Sequence, residues 1–99
     1  MAIKIKPYDS AKRFTTEEEQ IGLITDALGT GHVGYIAAAL GTVAKARGMS
    51  QIADGTGLSR QALYSALSDS GNPTLDTVMK VLDALGLRLT AQARELDHA

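Results

Sequence analysis

The chain has 99 residues, no cysteine, no tryptophan, a single phenylalanine and a formal net charge of −1. That length suits one small domain with an aliphatic core, and the missing cysteines exclude disulfides and thiolate metal sites, as suits a reducing cytoplasm. No apolar run approaches the roughly 20 residues of a membrane span, and no apolar segment follows the lysines of MAIKIKPYDS, so the N-terminus does not read as a signal peptide.

Residues 1–14 read as an extended N-terminal arm. Ile3 and Ile5 alternate with Lys4 and Lys6, Pro7 removes a backbone donor, and Tyr8 and Phe14 are its aromatic anchors. A first helix is predicted over 16–28. Thr16 and Glu19 have the spacing of a capping box, and Glu17, Glu18 and Glu19 sit at the positive end of the helix dipole. Ile21, Ile24 and Leu28 form its expected inward stripe, and Gly29-Thr30-Gly31 ends it.

His32 has no second ligand nearby in sequence, so it reads as a loop or cap residue and not as a metal ligand. A second helix is predicted over 33–47, with Ile36, Leu40, Val43 and Ala44 inward. Ala37, Ala38 and Ala39 are strong helix formers that permit close packing. Lys45 and Arg47 fall at its C-terminal end, where cations suit the dipole and can also reach a phosphate backbone; Gly48 closes the helix.

The stretch Met49 to Ser68 organises the rest. It predicts two short helices, 50–56 and 59–68, joined by a tight turn. Ser50 is the expected N-cap of the first and Ser59 of the second. Ala53 lies four residues before Gly57, which makes the turn; Leu58 plugs the gap, and Leu63 and Leu67 face inward. This register of small residue, glycine and aliphatic lock is that of a helix-turn-helix. It leaves Arg60, Gln61, Tyr64 and Ser65 on the outer face of the second helix, where a recognition helix presents its base-reading groups. The net acidity argues against a nucleic-acid binder, but the region from 45 to 61 carries Lys45, Arg47 and Arg60 against Asp54 alone. A dimer would add phosphate contacts to this modest basic face.

Asp69-Ser70-Gly71-Asn72-Pro73 is a turn cluster, after which Thr74 caps a helix predicted over 75–85 with Leu75, Val78, Met79 and Leu82 on one face; Gly86 ends it. Residues 87–94 then alternate apolar and polar, the pattern of a half-buried strand that needs a partner, whether the N-terminal arm, a second subunit or another protein. The expected layout is an arm over 1–14, a helical DNA-binding domain over 15–86 and a strand with tail over 87–99. The fold class is all-α, five helices with a short C-terminal β-strand. No triad, phosphate loop or acidic metal loop is evident, so neither an enzyme nor a cofactor is expected.

The run AALGTVAKARGMSQIA, the motif GLSRQALYSALS and the tail VLDALGLRLT together resemble the short antitoxins described as addiction-module antidote proteins, related to HigA-like antitoxins of the Xre helix-turn-helix class. The resemblance covers about residues 7–91, with Pro7-Tyr8-Asp9 its weaker part. It implies a lambda-repressor-like domain that neutralises a co-encoded RelE-like or ParE-like toxin by binding it, and that represses its own operon as a homodimer. By position it places Arg60, Gln61 and Ser65 at base contacts with Tyr64 beside them, and Ser50, Gln51 and Ser59 near phosphates. Gly55 departs from the pattern, since a better helix former is expected there. A basic toxin would find its complement in Tyr8, Phe14 and the Glu17–Glu19 run. A stand-alone transcriptional regulator without a toxin, and a protein-binding module that has lost DNA, are the alternatives.

Overall fold

The computed structural model describes residues 15–94. Its helices are α1 (Glu17–Thr30), α2 (Val33–Arg47), α3 (Met49–Thr56), α4 (Arg60–Ala66) and α5 (Leu75–Ala84). The predicted arm with Tyr8 and Phe14, and the tail beyond 94, lie outside the described residues. Among the described residues no helix is long and apolar enough to cross a membrane.

α1 opens as the sequence predicts. Thr16 is extended (φ −99°, ψ 153°), its hydroxyl accepts from the Glu19 amide, and the Glu19 carboxylate accepts from the Thr16 amide, completing a capping box. Its buried face differs from the expected stripe. Gln20, Ile24 and Ala27 are buried, whereas Ile21 and Leu28 are 41% and 37% exposed. The small Ala27 lets α1 lie close on α2, and that contact turns the larger flanking side chains outward.

α2 is the central helix. Ala37, Ala39, Leu40, Gly41, Val43 and Ala44 are all buried, because α1, α3 and α4 all pack on it. A helix with neighbours around much of its girth is apolar over most of its surface. His32 caps it, Nδ1 accepting from the Tyr35 amide at 3.2 Å.

Gly48 serves two helices at once. Its amide donates to Ala44 at the end of α2, and its carbonyl accepts from Ile52 at the start of α3. Its φ of 106° is a conformation that only glycine adopts cheaply. This corrects the expected cap at Ser50: α3 begins at Met49, has no side-chain cap, and holds Ser50 exposed in its first turn. Gly57 (φ 76°, ψ 9°) ends α3 in the left-handed conformation that turns the chain into α4.

The core joins Leu40, Val43, Ile52, Leu63, Val81 and their neighbours, with Ala53 and Leu58 packed on its edge. α5 closes it against α3. Its inward residues are Val81 and Leu82, with Leu85 just beyond; Leu75 and Met79, expected inward, are 66% and 49% exposed. The close contact of α3 with the C-terminal half of α5 sets that rotation. Residues 87–94 form no strand, contrary to expectation: the Leu87 amide donates back to the Leu82 carbonyl at 2.8 Å. No described segment offers these residues a strand to pair with, and a lone strand is not stable.

Candidate nucleic-acid interface

The outer face of α4 is fixed from within. Ser59 is extended (φ −72°, ψ 156°) and its hydroxyl accepts from the Ala62 amide at 3.0 Å, which sets where the helix starts. Leu63 is 0% exposed and Leu67 3%, and together they fix its rotation. Arg60, Gln61, Tyr64 and Ser65 are spaced i, i+1, i+4 and i+5, so they share the opposite side, and all of them are exposed.

Lys45 joins this face from α2. Its Nζ lies 5.9 Å from the centre of the Tyr64 ring, within the range of a cation–π contact. The contact draws an ammonium beside the aromatic residue one turn along from Arg60. Gln51 is exposed in the first turn of α3, next to Ser50. α3 has no side-chain cap, and a helix start whose amides lack side-chain partners suits a phosphate.

Arg47 is engaged differently from Lys45. Its Nε donates to Oε1 of Gln20 at 2.7 Å, across to α1. The terminal guanidinium nitrogens are its remaining donors. Gln20, 2% exposed, is the residue that reading the sequence missed. Its signal was there: a polar residue standing four before Ile24 and seven before Ala27, in line with the buried face. The Lys45–Tyr64 contact had no sequence signal, because it joins different helices.

Glu17 and Glu18 are exposed at the start of α1. Glu19 is exposed as well, but its carboxylate accepts from the amides of Thr15 and Thr16, both at 3.2 Å. The Thr16 amide foremost, then the Thr16 side chain, hold its pKa below the ordinary carboxylate value. Among the described residues no group of histidines or carboxylates is placed to hold a metal ion.

Comparison with known proteins gives a family match and a full-length relative. Residues 4–93 match the family described as "Probable addiction module antidote protein". An uncharacterized protein of Haemophilus influenzae is 46% identical over 92 residues, covering 93% of this chain and 95% of the relative. No solved structure matches. With a family match over nearly the whole length and a relative this similar, the chain belongs to the family of probable addiction module antidote proteins.

Proposed function

We propose that the protein is the antitoxin of a two-gene module, that it neutralises a RelE-like or ParE-like toxin by direct binding, and that it represses its own operon as a homodimer through an Xre-type, HigA-like helix-turn-helix. Family membership supports the antidote role. The observation that carries the DNA-binding half is the outer face of α4, where Arg60, Gln61, Tyr64 and Ser65 stand exposed opposite the buried Leu63 with Lys45 against Tyr64. In this reading α3 and α4 are the helix-turn-helix, and α4 enters the major groove.

Arg60 donates two hydrogen bonds to a guanine and Gln61 pairs with an adenine. Ser65 reads one turn deeper, and Tyr64 lies beside them. Lys45, with Ser50, Gln51 and Ser59, contacts phosphates, and Arg47 does so with the nitrogens its bond to Gln20 leaves over. Two copies place their α4 helices on successive major-groove faces roughly 34 Å apart. The toxin binds away from α4, at the acidic start of α1 (Glu17, Glu18 and Glu19) together with Tyr8 and Phe14, because an acidic patch with aromatic anchors complements a basic ribonuclease-type partner.

Affinity for the DNA upstream of the gene and for random DNA, measured for Arg60→Ala across a salt series, tests the DNA half. Loss of about 1–3 kcal/mol per half-site on the upstream DNA, with little change on random DNA, is expected. Equal losses on both, with a reduced salt slope, would make Arg60 a backbone contact. Co-expression with the product of the adjacent gene tests the antidote half: growth rescue is expected, and its absence with a toxic neighbour overturns it.

A further inference from the structure

We infer that the groove between α1 and residues 87–92 is the docking site of the chain's own N-terminal run, residues 2–6, paired as a strand on the segment 87–92. None of the residues given above to DNA or to the toxin takes part. Ile21, Ile24 and Leu28 of α1 form one wall of the groove and Leu87 and Leu89 the other, and its volume is about 620 Å³. Ile21, Leu28 and Leu89 are large and exposed. Aliphatic side chains gathered along one groove mark an interaction site. The wall at 87–92 is also an open edge. The Leu87 amide donates back to Leu82, but among the described residues no backbone–backbone hydrogen bond engages positions 88–92. An edge of this kind accepts an added strand.

Pattern, length and tether select the occupant. Ala2-Ile3-Lys4-Ile5-Lys6 alternates, so as a strand it sets Ile3 and Ile5 on one face and both lysines on the other. Pro7, without an N–H, ends the pairing there. Ile3 and Ile5 stand about 7 Å apart in a strand, and the wall from Ile21 to Leu28 rises roughly 10 Å, so both isoleucines fit along it. Residues 7–14 can span up to about 28 Å, more than the roughly 17 Å from the start of α1 to Leu28. The run is therefore tied, by a linker long enough to turn back, to the helix that forms one wall. So short a tether holds it at a local concentration in the millimolar range, which a second copy or a separate protein at micromolar concentration does not match. Docked, the run covers the exposed Ile21, Leu28 and Leu89 and brings the linker, with Tyr8 and Phe14, back beside α1.

Hydrogen exchange of the full chain, read at the amides of 88–92, is the test. These amides are expected to exchange at least about tenfold more slowly in the wild type than in the double variant Ile3→Ser with Ile5→Ser, with the helix amides unchanged. That protection should not depend on protein concentration. Because the chain has no cysteine, Lys4→Cys with Thr90→Cys gives two thiols that a short bismaleimide should join within one chain, and it leaves both isoleucines in place. Lys4→Cys with Asp54→Cys on α3 should stay unjoined. Amides that exchange as fast in the wild type as in the serine variant overturn the inference. Protection that grows with protein concentration, or a crosslink between chains, also overturns it and assigns the groove to a second copy. Protection that arises only on adding the adjacent gene product overturns it in favour of the toxin. Protection as expected, in a protein that neither rescues growth nor binds DNA, leaves this inference standing and removes the proposed function instead.

Discussion

Arg47 Nε donates a 2.7 Å hydrogen bond to Gln20 Oε1 and thereby ties the last residue of α2 to the first turn of α1. The acceptor is buried and the donor charged, the combination in which a hydrogen bond contributes most and its loss costs most. Lys45, two residues earlier, points instead to Tyr64. Two cations that look interchangeable in sequence therefore have separate roles.

Arg47→Ala is expected to lower stability by about 1–3 kcal/mol, by removing the charged donor from the buried Gln20 Oε1. Arg47→Lys should not restore it, because lysine carries no donor at the position of the arginine Nε. Lys45→Ala should change stability by less than about 1 kcal/mol, the scale of an exposed cation–π contact; under the proposed function it should also reduce the salt slope of DNA binding by about one. Thermal melts alongside salt titrations separate the two, and equal melting temperatures for Arg47→Ala and wild type would sink the structural role.

Gly55 is where the sequence departs from good helix chemistry, and the contact of α3 with α5 explains it. A Cβ at Gly55 would stand 3.2 Å from the Ala84 Cβ, whereas one at Gly22 in α1 would meet nothing within 4 Å. Gly22→Ala is expected to gain about 0.5–1 kcal/mol from helix propensity. Gly55→Ala should gain nothing, because the tight contact cancels the same term. The pair Gly55→Ala with Ala84→Gly should be more stable than the sum of the single changes, which a double-mutant cycle in urea measures.

Gly41 meets a harder limit. A Cβ there would fall on the Leu67 carbonyl oxygen at the end of α4. Backbone cannot yield as a flexible side chain can, so Gly41→Ala is expected to lose about 2 kcal/mol or more despite better helix propensity. Because the clash is with α4 itself, the DNA binding proposed for that helix should fall along with the melting temperature. A variant as stable as wild type would show that the end of α4 does not press on Gly41.

The capping box makes the start of α1 sensitive to acid. The Thr16 amide, first, and the Thr16 side chain hold the Glu19 pKa below its ordinary value. A depressed folded-state pKa means stability that is fully present above the unfolded value, about 4.3, and lost as pH falls through the folded value. Wild type should therefore melt above Glu19→Gln at about pH 6, with the gap closing below about pH 4. Melting curves of both proteins across that range test this, and a gap that does not change with pH would remove the carboxylate from the cap.

The sequence alone determined that there are five helices and, apart from the start of α3 and the last turn of α4, about where they run and stop. Caps at Thr16, Ser59 and Thr74, and turns at Gly31, Gly57 and Gly86, act over a few residues, so their chemistry is legible in a string of letters. The inward pair Leu63 and Leu67 was legible too, and with it the outward face of Arg60, Gln61, Tyr64 and Ser65. A short helix with two large aliphatic residues on one side has a single way to bury them.

Only the tertiary structure decided which side of α1 and α5 is buried, because both helices offer more apolar residues than their contacts cover. On α1 the small Ala27 at the α2 contact takes the place expected for Leu28, and on α5 Val81 takes the place expected for Leu75 and Met79. Gln20 and Arg47 meet across 27 positions, and Gly55 meets Ala84 across the α3–α5 contact; no local spacing encodes either. The strand expected over 87–94 shows the same divide. Alternation states a preference, but a strand exists only where another edge accepts its hydrogen bonds, and the described part of the chain supplies none.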